Sequence, residues 1–279
     1  MKKIDSIFVL GVLIAAMLVV VVPKLIFGDR YSEIIGLVLY SLVIISTICI
    51  IVYRRLQNQI INTNVLVQKR LSEDYKQIES LFSIHSILKT NSPLPPMRDW
   101  AISPDFASIL ISLIFDLKPR LILEASSGVS TLISSYCIKK LGIGKLYSLD
   151  HDEFYASKTK CDVAQHGLTD IANVIHAPLK EVTIKEKRWL WYENKVLKEI
   201  ENIDLLIIDG PPSTIQAMAR YPALPLLYEK LSRKATIVLD DTLRKDEKSI
   251  VETWLKEYPD FEIKFVDTEK GATILRRMS

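Results

Sequence analysis

Five carboxylates in this chain stand where short apolar runs end. Glu124 follows Leu121-Ile122-Leu123, Asp150 follows Leu146-Tyr147-Ser148-Leu149, Asp209 follows the run 203–208, and Asp240 with Asp241 follows the run 235–239. Carboxylates in such places can accept hydrogen bonds from sugar hydroxyls, pair with a ligand's amino group, take a proton from a reacting hydroxyl, or hold a hard cation. The first of them leads into a small-residue turn, Ala125-Ser126-Ser127-Gly128, before the chain resumes with Val129-Ser130-Thr131. A strand running into a helix over such a turn offers free N–H groups and the positive end of the helix dipole, so the stretch Ser126 to Ser130 can approach a ligand closely.

The elements that position these residues follow from hydrophobic periodicity. Helices are expected at 106–117, 130–140, 153–166, about 213–231 and 246–257, and strands at 120–124, 145–149, 172–176, 203–208, 235–239, 261–266 and 272–276. Short apolar strands alternating with helices predict an α/β fold: a doubly wound, mostly parallel seven-stranded sheet covered on both faces. The last two strands, joined across Asp267-Thr268-Glu269-Lys270-Gly271, predict an antiparallel hairpin at the C-terminal end of the sheet. In an open sheet of this kind ligands bind beyond the carboxyl ends of the strands, where the acidic residues fall.

A pyrophosphate asks for G-x-G-x-x-G, whereas this turn has one glycine, Gly128, and a glutamate beside it that would repel phosphates. Asp150, about twenty residues further on, is placed to accept from two ribose hydroxyls. An adenosine ligand without phosphates, carrying a cation and an amino group, suits the combination, and S-adenosylmethionine is such a ligand. An NAD-dependent sugar oxidoreductase is the alternative enzyme, and the missing glycines count against it.

Across roughly 105–276 the chain resembles the class I S-adenosylmethionine-dependent methyltransferases, whose fold is Rossmann-like. Glu124-Ala125-Ser126-Ser127-Gly128-Val129-Ser130-Thr131 is similar to their first motif, and Tyr147-Ser148-Leu149-Asp150-His151-Asp152 to their second. The closing hairpin is similar to their extra antiparallel strand. The resemblance implies that Glu124 lies near the methionine amino group, that Ser126, Gly128 and Ser130 line the cofactor turn, that Asp150 takes the ribose, and that His176-Ala177-Pro178-Leu179 borders the adenine. His151 and Asp209 complete the implied cofactor set. Ser126 departs from the family's usual glycine and enters positive φ less freely. That departure also keeps open a non-catalytic membrane scaffold built on a degenerate methyltransferase fold.

Methyl transfer needs alignment, exclusion of water and, for a hydroxyl acceptor, removal of a proton. Asp209, Asp240 and His151 are the catalytic candidates, His151 because its ordinary pKa near 6.5 suits a base at neutral pH. Asp209, Asp240 and Asp241 are also placed like the magnesium-holding residues of the metal-dependent catechol-type O-methyltransferases, with Asp241 in place of an asparagine. The same aspartates have plainer uses, Asp209 in a tight Asp-Gly-Pro-Pro turn and Asp241 as a helix cap, just as Asp150 can cap the helix after it. Arg98 and Trp100, in Pro95-Pro96-Met97-Arg98-Asp99-Trp100, are candidates for a lid over the acceptor, with Arg98 binding a carboxylate or phosphate, or else for a segment that closes the domain. His85 and His166 read as helix-surface residues, and Trp189, Trp191 and Tyr192 as packing between the third and fourth strands.

Ahead of this domain the chain is far more apolar. Ile34 to Tyr53 carries no charge, and at about 1.5 Å per residue it matches a bilayer core of roughly 30 Å. Ile7 to Val22 continues to about residue 27 if Lys24 snorkels toward the headgroups. Two spans, 7–27 and 34–53, joined at Gly28 to Glu33, predict a transmembrane hairpin over residues 1–53, preferred to a cleavable signal peptide because no A-x-A site follows the first run. Lys2, Lys3, Arg54 and Arg55 flank the outer ends, which places both termini and the following domain in the cytoplasm. Residues 54–90 hold no Gly or Pro and predict a linker helix whose apolar residues dock on the next domain or, less simply, pair two copies into a homodimer. The soluble domain is expected from 91 to 279. A net charge of +3, dispersed along the chain, argues against a nucleic-acid partner, and Cys49, Cys137 and Cys161 have no zinc or disulfide spacing. A membrane-tethered methyltransferase would meet a small or lipid-linked acceptor, such as a cell-surface glycan precursor, most readily at oxygen.

Overall fold

A computed structural model describes residues 29–193 and 195–278, together with residues 11, 14–15, 17–18 and 21–26. About half of the first expected span, 7–27, lies outside the described residues; those described within it are helical. The helix α1 (Asp29–Ile87) takes in the second span and runs on through the expected linker without a break, as a stretch free of Gly and Pro allows. Asp29 to Glu33, expected as part of the connection between two spans, belong to this helix, and Gly28 lies outside the described residues. Among the described residues this is the one helix long and apolar enough to cross a membrane.

The chain divides into two compact units, one ending at Ser72 and the other beginning at Glu73. In the first, Leu56, Ile60, Leu66 and Leu71 are all more than half exposed. In the second, only the last turns of α1 bury apolar side chains, through Ile84 and through Leu88 just beyond its end. Tyr75, Ile78 and Phe82 remain exposed.

The second unit continues with α2 (Pro104–Leu117), β1 (Leu121–Ala125), α3 (Val129–Leu141), β2 (Lys145–Asp150), α4 (Glu153–Gln165), β3 (Ala172–His176), β4 (Leu179–Ile184), β5 (Lys187–Tyr192), β6 (Ile203–Ile208), α5 (Ala223–Leu227), β7 (Leu231–Leu239), α6 (Lys245–Glu257), β8 (Phe261–Val266) and β9 (Ala272–Arg277). Seven strands form one sheet in the order β3-β2-β1-β6-β7-β9-β8. The first five of these neighbours run parallel, and β9 lies antiparallel between β7 and β8. The expected mostly parallel sheet with a terminal hairpin is therefore present.

Local chemistry sets the element ends. Pro104 opens α2, where a missing N–H costs nothing. Asp152 caps α4 by accepting from the Phe154 and Tyr155 N–H groups, so the cap is this residue and not Asp150. Gly142 ends α3 in the left-handed region. The sheet separates two apolar layers: one packs Ile84, Phe106, Leu110 and Leu132 on the face covered by α2, α3 and α4, the other Trp191, Tyr192, Leu224 and Trp254 on the opposite face.

Two segments differ from expectation. The helix expected at about 213–231 forms only at Ala223–Leu227, and β7 starts at Leu231. Pro222, which N-caps the short helix that forms, removes an N–H donor within the segment, and Met218 takes φ 53. The segment is fastened by individual bonds instead: Gln216 makes two hydrogen bonds to the backbone of Leu190, and Asp246 accepts from the Met218 N–H. Residues 179–192, expected as a connection, form the separate antiparallel pair β4–β5. Trp189, Trp191 and Tyr192 are buried there as packing residues, Trp189 against Tyr221 at 4.7 Å between ring centroids.

Trp254 is fully buried, and its indole donates to the Tyr221 carbonyl at 3.0 Å. Trp254→Ala removes both a large core volume and this tie to the 209–222 loop, and thermal or denaturant unfolding should show a loss of about 3–5 kcal/mol.

Candidate functional site

Strand order reverses at β1, whose neighbours are β2 on one side and β6 on the other. The connections leaving β1 and β6 diverge there and open a crevice beyond their carboxyl ends. Glu124 and Ala125 stand on one side of it, paired in register with Ile207 and Ile208, and Asp209 follows on the other.

The turn after β1 bends sharply: Ser126 has φ 142 and Gly128 φ 147. Ser126 thus holds a conformation that favours glycine, anchored by its N–H to the Leu149 carbonyl at 2.9 Å. The turn is pressed close to β6. A Cβ on Gly210 would lie 2.5 Å from the Tyr192 hydroxyl and 3.2 Å from the Ala125 carbonyl oxygen.

Glu124 is fully buried beneath this turn. Its Oε2 accepts from Thr131 Oγ1 at 2.6 Å and lies 2.7 Å from Ser148 Oγ, while its Oε1 is buried without a partner. Burial pushes its pKa up to about 7, against the lowering effect of hydrogen bonds from Ser130, Thr131 and Ser148, and with a further rise from nearby Asp209.

At the end of β2, Asp150 accepts from Ser127 Oγ at 2.5 Å and from the Asp152 N–H at 3.0 Å. Its carbonyl accepts from the N–H of Ala177, which is fully buried at the end of β3, with His176 exposed beside it. His151 Nδ1 stands 3.7 Å from Asp150 Oδ1.

A cavity of about 430 Å³ lies over the turn, within the range that small-ligand sites occupy. Ser126, Gly128 and Ser130 form its floor, Arg98 and Trp100 one wall, and Asp209 part of another. The remaining wall is one face of α4, formed by Tyr155, Lys158, Thr159 and Asp162. These four went unrecognised in the sequence, although their spacing places them on one helical face. Of the expected site residues, Glu124, Asp150, His151, Ala177, Asp240 and Asp241 are not among the described lining residues.

The aspartates expected to hold magnesium enclose a guanidinium instead. Arg220 Nη2 lies 2.7 Å from Asp241 Oδ2 and 3.2 Å from Asp209 Oδ1, and it donates to the Asp209 carbonyl at 2.8 Å. Its Nη1 donates to the Asp240 carbonyl at 2.9 Å. Among the described residues no group of three or more His, Cys, Asp or Glu side chains is arranged to hold a metal ion. Asp240 is fully buried, and burial followed by repulsion from Asp209 and Asp241 raises its pKa well above the usual range. Asp241 pairs with Arg220 and Arg244 and does not cap α6, whose N-cap is Arg244. Burial lifts Asp209 to about 6, and Arg220 restrains the rise.

His85 is exposed, as expected, but His166 is buried just past the end of α4, its Nδ1 2.8 Å from the Tyr136 hydroxyl. It is a core residue. Arg220 left no signal in the sequence, because a lone arginine in a stretch read as helix is ordinarily a surface residue.

Residues 125–242 match a family model described as a methyltransferase domain. The solved structure of the SAH-bound Podospora anserina methyltransferase PaMTH1 superposes with a TM-score of 0.55 at 16% identity, covering 76% of this chain and 96% of that one. A candidate O-methyltransferase from Klebsiella pneumoniae gives 0.50 at 16% identity, covering 77% and 96%. At such identities the likeness is one of fold. No curated protein matches the chain by sequence.

Ser126→Gly should relieve the positive-φ residue and raise stability by about 1 kcal/mol, a rise of roughly 2–4 °C in Tm. Glu124 gives a pH signature. Its folded pKa of about 7 lies above its ordinary 4.5, so the stabilisation from its protonated form is complete below the ordinary value and lost as pH rises through about 7. Melting curves between pH 5 and 8 should show the natural protein losing up to about 3 kcal/mol relative to Glu124→Gln.

Proposed function

We infer that this chain, whose residues 125–242 match a methyltransferase domain model, uses S-adenosylmethionine to methylate an oxygen of a small acceptor. The observation that carries the reading is Glu124. A fully buried carboxylate with one partnerless oxygen, set beneath a turn at a topological switch point, suits a cationic amino group. The residues fit the cofactor in other respects: the turn from Ser126 to Ser130 can approach it closely, and Asp150 keeps lone pairs for ribose hydroxyls beside its bond from Ser127. Ser126 adopts the backbone shape a glycine would, which weakens the scaffold alternative.

When bound, S-adenosylmethionine supplies an electrophilic methyl group on a sulfonium. The chain's own task is to hold an acceptor and manage its proton. Asp209 lines the cavity and, with a pKa of about 6, can take the proton of an acceptor hydroxyl at its carboxylate near neutral pH. Arg98 and Trp100 are proposed to grip the acceptor, Arg98 through an anionic group. His151 lies outside the lining, beside Asp150. The proposal carries no magnesium step, because Arg220 stands among the aspartates that would have held the ion.

The long apolar helix α1 supports a membrane anchor. Two spans ahead of a linker and a cytoplasmic catalytic domain from about residue 91, acting on a lipid-linked acceptor such as a glycan precursor, make up the fuller proposal. The exposed apolar residues of α1 between Leu56 and Leu71 leave room for a homodimer.

Calorimetric titration of the full chain in detergent should show micromolar binding of S-adenosylmethionine, none of NAD, and loss of binding in Asp150→Ala. Binding of NAD alone would favour the oxidoreductase. Affinity for S-adenosylmethionine should strengthen up to tenfold per pH unit toward pH 7, because Glu124 must give up its proton to pair with a cation, and Glu124→Gln should flatten that dependence.

A further inference from the structure

We propose that Arg220 is a built-in cation of this site, a positioning residue whose guanidinium fills the place among Asp209, Asp240 and Asp241 that a divalent ion would take and so holds Asp209 in the cavity wall.

The geometry is that of a coordination centre made from donors. Nη2 alone meets three acceptors: the carbonyl and Oδ1 of Asp209 and Oδ2 of Asp241. Nη1 reaches the Asp240 carbonyl, and Nε lies 3.9 Å from Glu247 Oε1. The head group therefore ties the end of β6 to the end of β7, and its Nε faces Glu247 in the first turn of α6 without a hydrogen bond. At 3% exposure it is out of reach of a substrate, and it acts through Asp209, which does line the cavity. Asp209, Asp241 and Glu247 surround it closely, and Asp240 Oδ2 and Asp241 Oδ1 are buried without partners. A guanidinium cannot be deprotonated here, and its planar fork fixes the directions of the groups around it as a spherical ion does not. The backbone serves this end. Arg220 is held between the Met218–Tyr221 turn and the tie from Trp254 to Tyr221, which gives the proline-rich loop a purpose that a helix at 213–231 could not serve.

The role of Asp209 rests on the cofactor reading above, but the place of the cation does not. The test uses the full chain in detergent with Mn²⁺ as the probe, followed by electron paramagnetic resonance and melting. The natural protein should bind no Mn²⁺ at millimolar concentration and keep its S-adenosylmethionine affinity after chelation. Arg220→Met, folded by circular dichroism, should gain a Mn²⁺ signal and a Tm rise of roughly 5 °C with the metal. Both gains should vanish in Arg220→Met/Asp241→Asn. Arg220→Met should also bind S-adenosylmethionine about tenfold more weakly, with Mn²⁺ or Arg220→Lys restoring part of the loss. Mn²⁺ bound by the natural protein and lost with Asp241→Asn would overturn the proposal, whether or not the methionine variant folds. So would a folded Arg220→Met with no Mn²⁺ response. Failure of the natural protein to bind S-adenosylmethionine would count against the cofactor reading alone, since the Mn²⁺ measurements read the cation place directly.

Discussion

Desolvation of carboxylates at the ends of the central strands is the constraint around which this domain is arranged. A parallel sheet covered on both faces buries whatever ends its middle strands, and here Glu124, Asp209 and Asp240 do so. An ionised carboxylate without compensation is costly in that setting. The structure answers in two ways. Glu124 is surrounded by hydroxyls from Thr131 and Ser148 and moves toward its neutral form, whereas Asp209 and Asp241 are given an arginine.

These two solutions divide the site. On the β1 side a carboxyl with one unpartnered oxygen lies beneath a tightly bent turn, a state that a cationic ligand would relieve. On the β6 side Arg220 and Arg244 offset the acidic charge, while Asp209 still faces the cavity. The 209–222 loop serves the second arrangement. The left-handed Met218 and Pro222 interrupt helical geometry there, and the anchors on Leu190, Asp246 and Trp254 bring one guanidinium to the switch point.

Much of the domain was legible from its residues. The five parallel strands and the terminal hairpin emerged from apolar runs and turn chemistry, because strands buried on both faces are nearly continuous in hydrophobicity. The turn at Ser126 to Ser130 and the acids Glu124, Asp150 and Asp209 were legible for a related reason: a charged or small residue that interrupts such a run marks the strand's end. The β4–β5 hairpin and the proline-rich loop were less readable. Their order comes from single contacts such as Gln216 with Leu190, which leave no periodic trace. The apolar stripe of α1 is of the same kind, since it shows that a face wants cover without showing what covers it.

The sequence by itself determined the fold class, the position of the site at the strand ends and the identity of the acidic groups, since these follow from local periodicity and composition. Only the tertiary structure decided what each acid does. It buried Asp240, left Asp209 at the cavity and put Arg220 where a metal ion had been expected. The reason is electrostatic: the state of a carboxylate is set by its depth and by the charges within a few ångströms, and Arg220 reaches Asp241 across 21 positions of chain through a loop whose path no local pattern encodes.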